Sequence, residues 1–208
     1  MSLDAYVHIS HAPASGQPLI FAFHGTGGDE TQLAALVRKL APRAGVVSPR
    51  GDVYEGGAKR FFRRTGEGVY DMDDLATRTD KMAGFVAAHK ARHPQVPVLG
   101  VGYSNGANIL ASVVLQQAGL FDGVALMHPL IPWSPAANPG LAGKDVLITA
   151  GKRDPICPFP MTQDLAAYFT DQGAQVDLVT HPGGHEIRPE EFTALAGFLN
   201  RNAAASAR

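Results

Sequence analysis

"VPVLGVGYSNGANILASVVLQQAG" (96–119) changes character at its centre. Residues 96–104 form an apolar run of the length of a buried strand, and 105–119 read as the helix that follows it. Between them lies "GYSNG" (102–106), a serine flanked by glycines at a strand-to-helix turn. Glycines on both sides let neighbouring backbone come close, and the turn lifts the serine hydroxyl to the carboxyl edge of a sheet. Such a hydroxyl is a weak nucleophile unless a base lies within hydrogen-bond reach. Ser104 is therefore either a candidate nucleophile or only a polar turn residue, and the rest of the chain has to decide.

The same alternation runs outward in both directions. Strand-like segments are read at 18–25, 44–51, 122–132, 144–154 and 174–185, and helix-like segments at 30–42, 71–94, 160–173 and 188–202. "LDAYVHIS" (3–10) suits an antiparallel edge strand, and the Ala-rich stretch after 202 is expected to fray. Residues 52–70, glycine-rich and without either period, read as a long loop. Strands separated by helices imply an α/β fold, with a mostly parallel sheet covered on both faces. No repeat, linker or second core is visible, so residues 1–208 are expected to form a single domain.

Composition narrows the function. Apolar residues make up 45% of the chain and charged residues 18%, the balance of a globular protein. A formal net charge of −1 provides no general attraction for nucleic acid or an anionic membrane. No stretch approaches the roughly 20 apolar residues of a membrane span. The one cysteine, Cys157, cannot close an intramolecular disulfide, and "MSLDAYVHIS" lacks the pattern of a secretory signal. A cytoplasmic location is expected.

Three further motifs fall after separate predicted strands. "HGTGGDE" (24–30) is a Gly-rich loop able to aim a backbone N–H at a carbonyl oxygen, with Thr26 as donor and Asn105, just after Ser104, as its partner. It lacks the spacing of a dinucleotide or Walker site. "AGKRDPICP" (150–158) carries Asp154, and "HPGGHEI" (181–187) carries His185. Taken singly, an Asp-Pro pair is often a turn and a loop histidine is often ordinary. His181 and His185 are four apart, but the Pro-Gly-Gly between them opposes the helix on which that spacing binds zinc, so no metal is expected. The order Ser104, Asp154, His185 is the chain order of an α/β-hydrolase triad, and order is what turns weak signals into a strong one.

On "FHGTGGDE", "SPRG", "RFFRR", "GYSNGAN", "GKRDPICP" and "GGHEI", which run from residue 23 to 187, the chain resembles the phospholipase/carboxylesterase branch of the α/β-hydrolases. That branch includes acyl-protein thioesterases and small bacterial esterases; the wording of "HGTGGDE" and "RFFRR" is nearer to bacterial esterases of the hydroquinone- and quinone-responsive kind. The resemblance implies an α/β-hydrolase fold, Ser104 as nucleophile, His185 as base, Asp154 as its orienting carboxylate, and Thr26 and Asn105 as the oxyanion hole. It implies no cofactor and a small ester as substrate. A dienelactone-type hydrolase is disfavoured, because that chemistry uses cysteine at the nucleophile position.

For the substrate pocket, Phe61, Phe62 and Arg64 are candidates on one wall, and Leu130, Ile131 and Trp133 on the other. The competing reading makes the phenylalanines anchors to the core and pairs the arginines with Glu55, Glu67 or Asp71. Only about 50 residues separate Ser104 from Asp154, with two strands and a helix among them, so little or no lid is expected. A thioesterase or lysophospholipase and a non-catalytic ligand-binding relative are the alternatives. A homodimer is left open.

Overall fold

The computed structural model describes residues 2–205. Met1 and residues 206–208, which the single-domain expectation and the fraying tail include, lie outside the described residues. Seven strands form the central sheet: β1 (His8–His11), β2 (Leu19–Phe23), β3 (Gly45–Pro49), β8 (Val98–Tyr103), β9 (Gly123–Met127), β10 (Asp145–Gly151) and β11 (Gln175–His181). Their spatial order is β1-β3-β2-β8-β9-β10-β11. Every pairing is parallel except that of β1 with β3, which makes β1 the antiparallel edge expected from 3–10.

The buried strands are apolar throughout because both faces are covered, yet the period of two survives in what each side chain touches. In β2, Phe21 and Phe23 pack into the core beneath α2 (Met72–Lys90), α3 (Asn105–Gln116) and α4 (Phe159–Asp171). Ile20 and Ala22 face the opposite core, closed by α1 (Gln32–Leu40) and α5 (Pro189–Ala205) through Leu33, Val37, Leu195 and Phe198. The sequence expectation for the last helix ended at residue 202, whereas α5 continues to Ala205. Helix α2 opens at Asp71, whose carboxylate accepts the Asp74 N–H at 3.0 Å and so caps the helix.

The expected loop at 52–70 is instead two small hairpins. β4 (Val53–Glu55) pairs with β5 (Ala58–Arg60), and β6 (Arg64–Gly66) with β7 (Val69–Tyr70). Gly56 and Gly57, with φ of 55° and 84°, supply the two left-handed residues that a two-residue hairpin turn requires. Strands of two and three residues are too short to show a period, which is why the segment reads as structureless.

The turn after β8 is closely packed backbone against backbone. Ser104 has φ 51° and ψ −118°, and α3 begins at the next residue. A Cβ at Gly106 would sit 2.1 Å from the Phe23 carbonyl oxygen, and one at Gly102 would sit 2.6 Å from the Gly106 oxygen. Helix α3 therefore lies directly against the ends of β2 and β8, and only hydrogen fits between them. Gly106→Ala is expected to destabilise the protein by about 3 kcal/mol, because the obstructing atoms are backbone and cannot swing aside. A lower urea midpoint at unchanged m-value is the measurement; an unchanged midpoint would contradict this account of the turn.

Candidate active site

The three residues singled out in the sequence meet at the carboxyl edge of the sheet. Ser104 follows β8, and its N–H donates to Met127 O on β9 at 2.8 Å, which fixes the turn to the neighbouring strand. His185 comes from the loop after β11, with Nε2 2.8 Å from Ser104 Oγ and Nδ1 2.7 Å from Asp154 Oδ2. The Tyr103 hydroxyl donates to His185 O at 2.8 Å, so the residue before the serine also holds the histidine loop. Asp154, buried beyond β10, receives the N–H groups of Ile156 and Cys157 on Oδ1 at 2.8 and 2.9 Å.

Asp154 has a further partner. His128, fully buried after β9, directs Nδ1 at the same Oδ2 at 2.8 Å. Its Nε2 lies 3.1 Å from Glu191 Oε2, in charge contact but without the alignment of a hydrogen bond. Burial opposes charging His128, but the two carboxylates outweigh it and push its pKa up to about 9. Burial likewise opposes ionising Asp154, yet the hydrogen bonds from His128, His185 and two backbone N–H groups hold its carboxyl well below the usual carboxylate range.

The loop at 24–30 lies beside Ser104 and is pinned from several directions. His24 Nδ1–H donates to Gly25 O at 2.7 Å, leaving Nε2 to accept the Gly51 N–H at 2.9 Å. Burial lowers the pKa of His24, in keeping with this neutral tautomer. Glu30 pairs with Arg50, which ties "HGTGGDE" to "SPRG". The hairpin β4–β5 braces the same loop: Gly27 N–H donates to Lys59 O at 2.9 Å, and Arg60 Nη1 donates to Thr26 Oγ1 at 2.8 Å. The Asn105 side chain accepts the Phe61 N–H at 2.8 Å. Among the described residues, the backbone N–H groups of Thr26 and Asn105 have no hydrogen-bond acceptor, and both residues line the cavity above Ser104.

Residues 3–193 match the Dienelactone hydrolase family. The chain belongs to that family. It is 39% identical over 186 residues to the Bacillus subtilis protein described as "Putative hydrolase MhqD", covering 88% of this chain and 92% of that one. Among solved structures, an Agrobacterium tumefaciens protein of unknown function superposes with a TM-score of 0.91 at 52% identity, over 97% of this chain and 99% of that one. A carboxylesterase of Bacillus cereus superposes with a TM-score of 0.88 at 33% identity, over 95% and 94%. The fold is thus that of the α/β-hydrolases, and the chain is a hydrolase of the dienelactone hydrolase and carboxylesterase type. The family is named for a chemistry that the sequence argued against on the ground of its cysteine nucleophile; this member of the dienelactone hydrolase family carries serine at position 104.

The cavity of this family member encloses about 330 Å³ and is lined by Thr26, Arg64, Tyr70, Ser104, Asn105 and His185, among others. Arg64 is thus where the sequence put it, although its Nε is paired with Glu55 at 2.8 Å. Four other expected wall residues are not there. Phe61 and Phe62 are buried in the larger core, where Phe61 packs edge-on against Phe23 and Phe62 against Tyr70. They anchor the excursion to the sheet, because rings at the base of two short hairpins gain more from burial than from lining a wet pocket. Ile131 and Trp133 border a separate groove beside α4. The chain turns away from the site after Leu130, whose backbone is held by Asn108 Oδ1 and the Tyr70 hydroxyl. Leu130, named with Ile131 and Trp133 from the sequence, does line the cavity, as do Tyr70, Tyr103 and Asn108, which were not singled out. His128 and Glu191 were missed as well, and only the "MHP" after a strand gave a hint of the former.

His128, His181 and Glu191 bring three potential metal-ligating atoms within 4.8 Å of one another. His181 does not fit that role. Its Nδ1 accepts the Gly183 N–H at 3.0 Å, so a neutral ring carries its proton on Nε2, the atom that faces Glu191. A cation there would find an N–H rather than a lone pair.

The raised pKa of His128 has a consequence for stability. Unfolded, the ring titrates near 6.5; folded, near 9. Its contribution is therefore complete below about pH 6.5 and is lost as pH rises through about 9. Melting temperature is expected to fall from pH 7 to 9.5 in the native chain and to fall less in His128→Gln. Parallel slopes in a calorimetric pH series would contradict this.

Proposed function

We propose that the protein is a serine carboxylesterase acting on short or medium acyl or aryl esters. The observation that carries this reading is the unbroken line Asp154–His185–Ser104, with contacts of 2.7 and 2.8 Å, ending at the cavity floor. The ester carbonyl enters beside Thr26 and Asn105. His185 Nε2 takes the proton from Ser104 Oγ as the oxygen attacks the carbonyl carbon. Asp154, held ionised, keeps the Nδ1 proton in place and balances the imidazolium that forms. The N–H groups of Thr26 and Asn105 receive the oxyanion, each contributing about 3 kcal/mol to the transition state in comparable sites. Collapse of the tetrahedral intermediate expels the alcohol, which takes the proton from His185. Water then repeats the sequence on the acyl-serine: His185 accepts its proton, the acid leaves, and Ser104 is restored.

Arg60 acts through Thr26 rather than on the substrate, since its guanidinium also donates to Phe62 O and faces Glu55. A cavity of about 330 Å³, at the low end of small-molecule sites, favours short acyl groups over the long channel that a thioesterase or lysophospholipase needs.

Ser104→Ala is expected to lower kcat on p-nitrophenyl acetate by at least about 10⁴-fold with the circular dichroism spectrum unchanged, and to abolish labelling by a fluorophosphonate. Retained turnover would remove Ser104 from the mechanism. Across a p-nitrophenyl series, kcat/KM is expected to peak at two- to four-carbon acyl groups; a maximum at long chains would move the assignment to the thioesterase class.

A further inference from the structure

The triad accounts for Asp154 and His185 but leaves a buried line of polar side chains behind them. From Asp154 it runs through His128 to Glu191, and from Glu191 to Thr149 on β10 and His181 on β11. His128, Asp154, Thr149, His181 and Glu191 are all at most 6% exposed. An apolar core would be easier to form than such a cluster, and a cluster of this kind persists only where its members satisfy one another.

Counting protons defines the state of His128. Each carboxylate oxygen offers two acceptor sites. On Asp154, Oδ1 is occupied by two backbone N–H groups and Oδ2 by the Nδ1 atoms of His128 and His185. No site remains for a proton on Asp154, so both rings present Nδ1–H. On Glu191, Oε1 accepts the Arg188 N–H at 2.7 Å and faces the protonated Nε2 of His181, and Oε2 accepts the Thr149 hydroxyl at 2.5 Å. Burial opposes ionising Glu191, but His128, the Thr149 hydroxyl and the Arg188 N–H outweigh it and hold the carboxyl below its ordinary pKa, so a neutral His128 would aim a bare Nε2 lone pair at an ionised carboxylate 3.1 Å away. A cationic ring instead presents N–H to a carboxylate at each end.

The backbone gives an independent sign. Among the described residues only two non-glycines have positive φ: Ser104 at 51° and His128 at 50°. A non-glycine in this region is held there by its surroundings, and such residues concentrate at functional sites. The chain accepts at His128 the same kind of strain that it accepts at Ser104.

We propose that His128 is a positioning residue: an imidazolium throughout the neutral pH range, clamped between Asp154 and Glu191, that shares the triad carboxylate with His185 and limits how strongly His185 holds its proton. The inference rests on the serine-esterase reading for its kinetic consequence, but not for the charge state of His128. A lone carboxylate would lend its full negative charge to His185 and keep it protonated, and therefore unable to act as a base, to higher pH. With His128 on the other side, Asp154 still orients Nδ1–H while part of its charge is answered elsewhere. Every group facing His128 fits this picture. Asp154, Glu191 and the Thr149 hydroxyl behind Glu191 support the cation, His181 is neutral, and the Tyr103 ring meets the His128 ring edge-on at 5.9 Å. Burial raises the Tyr103 pKa to about 12, so its hydroxyl stays protonated, and the Cys157 thiol, raised further by burial, donates to His128 O. His185 itself, 5.1 Å away ring to ring, is the one neighbour whose charge changes in the proposed cycle.

Two measurements test this separately. In uniformly ¹⁵N-histidine-labelled Ser104→Ala protein, which has no turnover to complicate the spectrum, both His128 nitrogens should carry hydrogen at about pH 7.5, above the ordinary histidine range. A single protonated nitrogen there overturns the proposal, whatever the enzyme assays give. In otherwise native protein, His128→Gln removes the cation, and the double variant His128→Gln/Glu191→Gln removes it without leaving Glu191 uncompensated should the single variant fail to fold. The acidic limb of kcat/KM should move up by about one pH unit in whichever variant folds. A folded double variant with an unmoved acidic limb also overturns the proposal. Absence of turnover in the native chain would instead count against the esterase reading and leave the ¹⁵N result standing.

Discussion

The backbone contact between α3 and the ends of β2 and β8 is the constraint on which the site depends. Because only hydrogen fits at Gly102 and Gly106, the helix begins immediately after the strand, and Ser104 is forced into left-handed geometry with its hydroxyl clear of the sheet. The same compression places Asn105 at the first position of α3, where its N–H has no intrahelical acceptor and faces the cavity. A looser turn would displace the proposed nucleophile and one proposed oxyanion donor together. That is why a hydroxyl with no intrinsic reactivity acquires both an orientation and an electrostatic partner from one local packing event.

The remaining parts arrive from neighbouring strand ends, since a parallel sheet delivers all its carboxyl termini to one edge. Asp154 follows β10, His185 follows β11, and the Thr26 loop follows β2. The small hairpins at 53–70 then brace the Thr26 loop through Lys59 and Arg60, and hold the Asn105 side chain through the Phe61 N–H. In this chain the excursion that reads as a substrate loop is chiefly a buttress: its phenylalanines fill the core, and its arginines are engaged with Thr26, Glu55 and Asp71.

Much of this was legible in the sequence, for a physical reason. Strands buried on both faces appear as continuous apolar runs, and tight turns restrict residue type, so the sheet, its antiparallel edge and the order Ser104–Asp154–His185 could be read from local stretches. What escaped was either too short or too dependent on partners distant in the chain. Hairpins of two and three residues carry no period. Whether Phe61 faces core or pocket depends on a contact with Phe23, 38 positions earlier. His128 and Glu191 escaped for the same reason, since each looks ordinary until the fold sets it beside Asp154 or β10. Sequence reveals a group's chemistry at once, but its environment only when neighbours along the chain supply it.

Cys157 shows how this architecture reports on itself. The chain has one thiol, 1% exposed, set three residues after Asp154 and donating to the carbonyl of His128. Its N–H is one of the four groups that keep Asp154 charged. The thiol borders the cavity above Ser104 yet is almost wholly covered, so the rate at which a reagent alkylates it acts as a clock on how often the candidate site loosens around it. The molecule carries its own single-site probe of how often that machinery comes apart, at a position where no label has to be introduced.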